Sequence, residues 1–381
     1  MSVPVNPPPA DARPRNWAEL ADRSVALIAD AQHPSGAFPA ATSFPPYAFC
    51  WFRDGSFIAD GMSAAGRYDS ADAFHAWCAA VMRRESRAVE RAVAAAEAGT
   101  TLPDSEYLPA RYSLDGTRHE DDWWNFQVDG YGTWLWALER HLQRTGATAT
   151  AYAEVIGTTV RYLVGLGRRT CRDWWEEHRD QTHVSTLAGV HAGLLAAVRM
   201  GTLDAAQNQA AIAAAEGART GVLERGVRDG HLVKWLDTSD DVDGSLVAVA
   251  ALYGMIPPDD PVAIATVAAV EQQLTSSVVS GVHRYPSDTF FGGGQWPVLT
   301  CLLARHHARV GRRDRAAELL DWVAGTADSS GDLPEQVAPL LAPDRLDEWL
   351  ERWGPSARPL LWSHGMFLAT LEVLDTAAVG G

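Results

Sequence analysis

The chain is poor in lysine: among 32 basic residues Lys234 is the only one, and all the others are arginine. With an acidic excess that leaves a formal net charge of −16, this excludes the clustered cations that phosphate backbones require, so no nucleic-acid partner is expected. Cysteine is equally scarce. Cys50, Cys78, Cys171 and Cys301 lie far apart with no C-x-x-C spacing, which argues against a zinc knuckle or a redox pair and for reduced, buried thiols in a cytoplasm. No run of about 18 uncharged apolar residues occurs, so no membrane span is expected. The first residues, Met-Ser-Val-Pro-Val-Asn-Pro-Pro-Pro, lack a basic stretch followed by an apolar one. Residues 1–16 are therefore expected to be a disordered leader ahead of a single domain over 17–381.

Alternating β-branched runs are also few and short, whereas helical periodicity recurs throughout. The expectation is an all-α chain with helices near 17–31, 54–65, 71–96, 130–144, 148–170, 183–200, 203–225, 244–253, 260–275, 296–310, 313–325 and 362–375. Every second one is introduced by a segment rich in glycine, acid, arginine or aromatics: 47–55, 123–132, 173–183, 237–244, 284–296 and 333–365. Six decorated starts alternating with six plain ones suit an antiparallel double ring, an (α/α)6 barrel, with function gathered at one mouth. The intervals between decorated helix starts run from 52 to 76 residues, too irregular for a superhelical repeat.

What the chain does have in abundance is tryptophan, 15 in all. Trp51, Trp123, Trp124, Trp174, Trp175, Trp296 and Trp362 stand beside charged or amide residues in loop-like segments, and flat aromatic faces next to fixed polar groups suit sugars. Glycoside hydrolysis needs two carboxyl groups in unlike settings. Asp173-Trp174-Trp175-Glu176-Glu177-His178 supplies one, since indoles that exclude water and an adjacent carboxylate both favour a protonated acid. The alternative is a solvated glutamate pair capping the helix near His183. Gly331-Asp332-Leu333-Pro334-Glu335-Gln336 presents a second carboxylate on a proline-stiffened turn, although from local sequence alone a surface glutamate after a loop proline is the commoner explanation. Trp51-Phe52-Arg53-Asp54-Gly55 and His283-Arg284-Tyr285-Pro286-Ser287-Asp288 place Arg beside Asp, suited to gripping vicinal hydroxyls or to a structural ion pair. In Asn125-Phe126-Gln127-Val128-Asp129-Gly130, Asp129 reads as an N-cap or as a sugar contact.

Other chemistries fail at the residue level. Ser239-Asp240-Asp241-Val242-Asp243-Gly244 starts like a calcium loop, but its twelfth position is Ala250, so Asp243 reads as an N-cap. His183 and His191 lack zinc spacing, and no metal or other cofactor is expected. No dinucleotide fingerprint, P-loop or nucleophile elbow appears.

In order along the chain, these segments resemble glycoside hydrolase family 15, the glucoamylase-like enzymes, from about Gly36 to Ala369. Tyr47 through Asp54, with Trp51 and Arg53, resembles the segment that holds the terminal glucose, and Gln127 to Gly130 with Asp129 resembles the next glucose-side stretch. Trp175-Glu176-Glu177 is similar to the acid motif, where the first glutamate donates the proton and the second contacts sugar. Arg284 to Asp288, followed by Phe290, resembles a substrate-contacting stretch. Leu333-Pro334-Glu335-Gln336 is similar to the base motif, and Leu361-Trp362-Ser363-His364 to the helix start after it.

The resemblance implies an (α/α)6 catalytic barrel and inversion, with Glu176 protonated and Glu335 ionised at neutral pH. The expected substrate contacts are Tyr47, Trp51, Arg53, Asp54, Trp124, Gln127, Asp129, Trp175, Glu177, Arg284, Asp288, Phe290 and Trp362. Many bacterial members begin with a β-sandwich domain, whereas here the barrel is expected from about Trp17 with no starch-binding module. The stretch 338–358 is long enough to narrow the site. The substrate expected is a short α-gluco-oligosaccharide, first an α-1,6-linked one such as isomaltose, then maltose or trehalose. A sugar-binding barrel without catalysis and a terpene cyclase-like enzyme are the competing classes, the latter lacking its D-D-x-x-D motif.

Overall fold

The structure is a computed structural model that describes residues 17–119, 123, 126–276 and 281–379; the expected leader 1–16 lies outside them. Its helices are α1 Trp17–Ala31, α2 Phe52–Ala64, α3 Tyr68–Arg84, α4 Ser86–Glu97, α5 Asp129–Thr145, α6 Ala153–Leu166, α7 Val184–Arg199, α8 Ala205–Arg225, α9 Val247–Ala251, α10 Pro261–Leu274, α11 Pro297–Arg309, α12 Arg313–Gly325, α13 Leu346–Trp353 and α14 Leu361–Val379. Helices α2, α5, α7, α9, α11 and α14 each pack on the next, and α14 packs back on α2, closing an inner ring. The remaining long helices return the chain outside it, α1 on α14, α3 on α2, α6 on α4 and α8, α8 on α7, α10 on α9 and α12 on α11. This is the expected (α/α)6 barrel.

The division into rings follows from side-chain character. Phe52 through Ser63 of α2 are all buried, as are Val184 through Leu194 of α7, because an inner helix meets protein on every side. Outer helices bury one stripe, as α8 does with Ala211, Ala215, Ala218 and Val222. Inner helices also approach at glycine. A Cβ on Gly132 of α5 would lie 2.4 Å from the Gly189 carbonyl oxygen of α7, and one on Gly61 of α2 would lie 2.2 Å from that of Gly365 in α14.

The expected helix 71–96 is two, α3 and α4, separated at Glu85, whose carboxylate accepts from the Arg118 guanidinium at 2.8 and 2.7 Å. The expected helix 148–170 opens as a 3-10 turn, Ala149–Tyr152, before α6. Helix α13, inside 338–358, was not expected at all. Three two-residue ribbons tie loops at the mouth or rim: Cys50–Trp51 with Arg111–Tyr112, Val227–Arg228 with His231–Leu232, and Val282–His283 with Gln295–Trp296. No described helix is long and apolar enough to cross a membrane.

Candidate active site

The segments before the inner helices converge on a cavity of about 390 Å³ at the mouth of the barrel, where helix N-termini concentrate unpaired N–H groups. Its walls are mostly aromatic, with Tyr47, Trp51, Trp123, Trp174, Trp175, Phe290, Trp296, Trp349, Trp353 and Trp362 among the lining residues. The charged groups facing it are Arg53, Asp54, Arg172, Glu176, Glu177, Arg284 and Glu335.

Glu176 sits on a tight loop that Asp173 closes. The Asp173 carboxylate accepts from the backbone N–H of Trp175 at 3.0 Å and of Glu177 at 2.9 Å, while the Glu176 N–H reaches the Asp173 carbonyl at 3.0 Å. Glu176 itself has φ 64°, a left-handed conformation costly for a residue with a Cβ. That conformation turns its carboxyl group into the cavity. There one oxygen accepts from the Trp51 indole at 2.6 Å and the Gln127 amide at 3.0 Å, and the other from the Trp123 indole at 2.6 Å. Burial pushes its pKa above the ordinary value, opposed by the Arg53 charge and by those three donors. Repulsion from Glu177, expected to help, is not among the main causes: its carboxylate is taken up by the Tyr285 hydroxyl at 2.5 Å and by Arg284 at 3.4 Å. Neither glutamate caps α7, which starts after His183 without a side-chain cap.

Glu335 is 1% exposed. Its loop is pinned to the start of α14: the Leu333 N–H donates to His364 Nε2 at 2.9 Å, the Ser363 hydroxyl to the Pro334 carbonyl at 2.9 Å, and the Glu335 N–H to the Ala357 carbonyl at 2.9 Å. Since Nε2 accepts, His364 carries its proton on Nδ1, toward Ser24 Oγ at 2.8 Å. One Glu335 oxygen accepts from the Tyr47 hydroxyl at 2.9 Å; the other has no side-chain hydrogen-bond partner among the described residues. Burial raises its pKa to about 7, against the Tyr47 bond and the Arg284 charge. A pKa near 7 leaves Glu335 balanced between its two forms at neutral pH, because burial opposes the charge that the expected base role requires.

The arginines form two forks. Arg53 donates to Gln127 at 2.8 Å and Asp129 at 3.2 Å, lies 3.3 Å from Asp54, and sits 5.4 Å from the Trp362 ring centroid. Asp54 Oδ2 lies at ion-pair distance from Arg53 without a hydrogen bond among the described residues, and burial raises the carboxyl pKa to about 6, so it keeps acceptor capacity for a ligand hydroxyl. Arg284 grips Asp288 with two donors at 2.8 and 2.5 Å and lies among the rings of Trp175, Phe290 and Trp296.

The structure thus brings Tyr47, Trp51, Arg53, Asp54, Trp175, Glu176, Glu177, Arg284, Phe290, Glu335 and Trp362 to one cavity wall or another. Gln127, Asp129 and Asp288 stand behind it and hold the groups that do face it. Asp129 is not an N-cap, since its side chain pairs with Arg53; Asp243 is one, accepting from the Ser245 N–H at 2.8 Å. Trp124 lies outside the described residues. Trp349 and Trp353 of α13 were missed, although two tryptophans four apart in a short helix-forming run were a visible signal. All four cysteines are free and buried, as expected.

The sequence model described as "Glycosyl hydrolases family 15" matches residues 18–322. The chain is 45% identical to an isomaltose glucohydrolase from Kribbella flavida over 93% of its own length and 92% of the relative's. It is 26% identical to a trehalase from Sulfolobus acidocaldarius, covering 73% of this chain and 49% of that one. A solved glycosidase of 44% identity superposes with a TM-score of 0.91 over 94% of this chain and 97% of its own, and a variant of it was solved in complex with glucose. A glucoamylase from Saccharomycopsis fibuligera shares the fold at 15% identity, with a TM-score of 0.71 over 97% of each chain.

Proposed function

Because the chain belongs to glycosyl hydrolase family 15, we propose that residues 17–381 act as one inverting exo-α-glucosidase unit that releases β-D-glucose from the non-reducing end of short α-1,6-linked glucosides such as isomaltose. The observation that carries the reading is the pair of buried carboxyl groups on one aromatic cavity, one held by three N–H donors and the other left with a free oxygen. Their surroundings support different tasks. To carry a proton Glu176 gives up one accepted bond, and its new O–H then meets the glycosidic oxygen of the substrate. Proton transfer assists cleavage of the C1–O bond as positive charge builds on the ring.

Glu335, ionised, takes a proton from the water that attacks C1 from the opposite face, and its unpartnered oxygen is the atom available to that water. Trp51, Arg53, Asp54 and Trp362 suit the terminal glucose, with the aromatic faces against C–H patches and the charged pair on hydroxyl edges. Trp175, Glu177, Arg284 and Phe290 suit the remainder of the ligand, while Gln127, Asp129 and Asp288 orient the groups that touch it.

A cavity of about 390 Å³ is at the small end for ligand sites, which favours a disaccharide over a polymer. The high identity to an isomaltose glucohydrolase across nearly the whole of both chains supports the α-1,6 preference. Free buried thiols accord with a reducing cytoplasm, where imported disaccharides would be met. The test is to incubate the protein with isomaltose, maltose and trehalose and follow the anomers by NMR. β-Glucose released fastest from isomaltose is expected; initial α-glucose refutes inversion, and preferred release from maltose or trehalose refutes the linkage.

A further inference from the structure

The only lysine of the chain is 3% exposed and does not face the cavity, yet three segments of the site meet at it. Lys234 Nζ lies 3.2 Å from Asp243 Oδ2 and 3.5 Å from Asp173 Oδ2, and 3.4 Å from the centroid of the Tyr285 ring. Each of these neighbours holds the acid loop. Asp173 binds the N–H groups on either side of Glu176, Asp243 accepts from the Trp175 indole at 2.8 Å, and Tyr285 donates to Glu177. The Lys234 backbone is tied as well, its carbonyl accepting from Val184 at the start of α7 at 3.1 Å and its N–H donating to Asp241 at 2.9 Å.

We propose that Lys234 is a positioning residue for proton donation: its ammonium clamps Asp173 and Asp243 together and so keeps Glu176 in the left-handed conformation that aims its carboxyl group at the scissile oxygen. The physical case is one of charge and strain. Two buried carboxylates side by side repel unless a cation lies between them, and a buried ammonium is stable only when so paired. Without the cation the carboxylates separate or one takes up a proton, the loop relaxes, and Glu176 is free to leave φ 64°. A lysine fits where arginine does not. The site is a point between two carboxylate oxygens beneath an aromatic face, which suits a compact ammonium held by charge more than a planar fork.

The proposal rests on Glu176 as the acid, and its test separates the two. Isomaltose needs a proton on its leaving oxygen. α-Glucosyl fluoride does not need one to the same degree: water attacks C1, its proton passes to Glu335, and the C–F bond breaks with fluoride taking the electron pair. Lys234→Met keeps the length and removes the charge. kcat/KM on isomaltose is expected to fall by about 100-fold, the scale of lost general acid catalysis. On the fluoride it is expected to fall no more than a few fold.

Glu176→Gln, run alongside, should show the same split. Equal losses on both substrates in Lys234→Met, or no loss on either, overturn the positioning role even when Glu176→Gln shows the split. A Glu176→Gln protein with no split overturns the acid reading and the proposal together. If Lys234→Met does not fold by circular dichroism, Asp243→Asn weakens the clamp from the other side with the ammonium retained. The same split is then expected, and equal losses on both substrates overturn the proposal.

Discussion

Replacing Glu335 by glutamine is expected to abolish glucose release and, at the same time, to stabilise the protein in a pH-dependent way. Burial raises this carboxyl from 4.5 to about 7, so between those values the folded chain binds a proton that the unfolded chain has lost. Stability contributed by this group is therefore present below pH 4.5 and lost as pH rises through 7. A raised pKa of this size corresponds to about 3 kcal/mol at pH 8, and almost none of it is screened at a side chain with 1% exposure.

Glutamine keeps the shape and can still accept from the Tyr47 hydroxyl, but carries no charge to desolvate. With an unfolding entropy of roughly 2.1 cal/mol/K per residue, the gain corresponds to a Tm about 4 °C higher for a chain of this size. Differential scanning calorimetry of the two proteins at pH 8 and pH 4.5 checks it: most of the difference should be gone at the lower pH. A Tm difference that is the same at both, or lower for Glu335→Gln at pH 8, would show that Glu335 is not held in a desolvated, under-bonded state. Glucose release should fall by 10²-fold or more, the usual scale for a lost general base.

Tyr47→Phe removes a side-chain hydrogen bond that favours the ionised form of that carboxyl group, so the base should ionise later, and the acidic limb of the kcat/KM against pH profile should move upward by up to about one unit. An unmoved limb argues that Glu335 does not govern it. Trp353 stands 6.2 Å from Trp123 and 6.5 Å from Phe44, ring to ring, across the mouth of the cavity. Trp353→Ala is expected to raise the ratio of kcat/KM for isomaltotriose over isomaltose several fold, and an unchanged ratio would remove α13 as a length filter. Gly132→Ala pushes a methyl group into the Gly189 backbone on the next inner helix, for an expected loss of about 1–3 kcal/mol measured by urea unfolding. A loss below 0.5 kcal/mol would mean that α5 and α7 separate freely.

Alternation along the chain was enough to read the barrel, because an inner helix of a closed double ring is apolar around its circumference while its entry loop is polar and aromatic. The boundaries of α1 and α12 coincide with those expected, whereas the break at Glu85 was hidden because no glycine or proline marks it in the local sequence. Helix α13 left a local signal in Trp349 and Trp353, four apart, but the rings that Trp349 packs against, Phe290 and Phe291, come from a different loop that its own stretch does not name.

The order of Trp175-Glu176-Glu177 and Leu333-Pro334-Glu335-Gln336 was likewise enough to nominate both carboxyl groups, since a motif names residue types and their succession. Their electrostatics belong to the tertiary structure. A sequence does not state that Trp51, Trp123 and Gln127 will crowd three donors onto Glu176, or that Tyr47 will be the side chain that donates to Glu335. Nor does it state what Lys234 touches: Asp173 lies 61 positions before it and the Tyr285 ring 51 after it. Local residue types and their periodicity determined the helices and the ring, and the order of the motifs nominated the two carboxyl groups. Which groups surround each acid, and hence where its proton rests, depended on contacts between segments that only the closed barrel brings within a few ångströms.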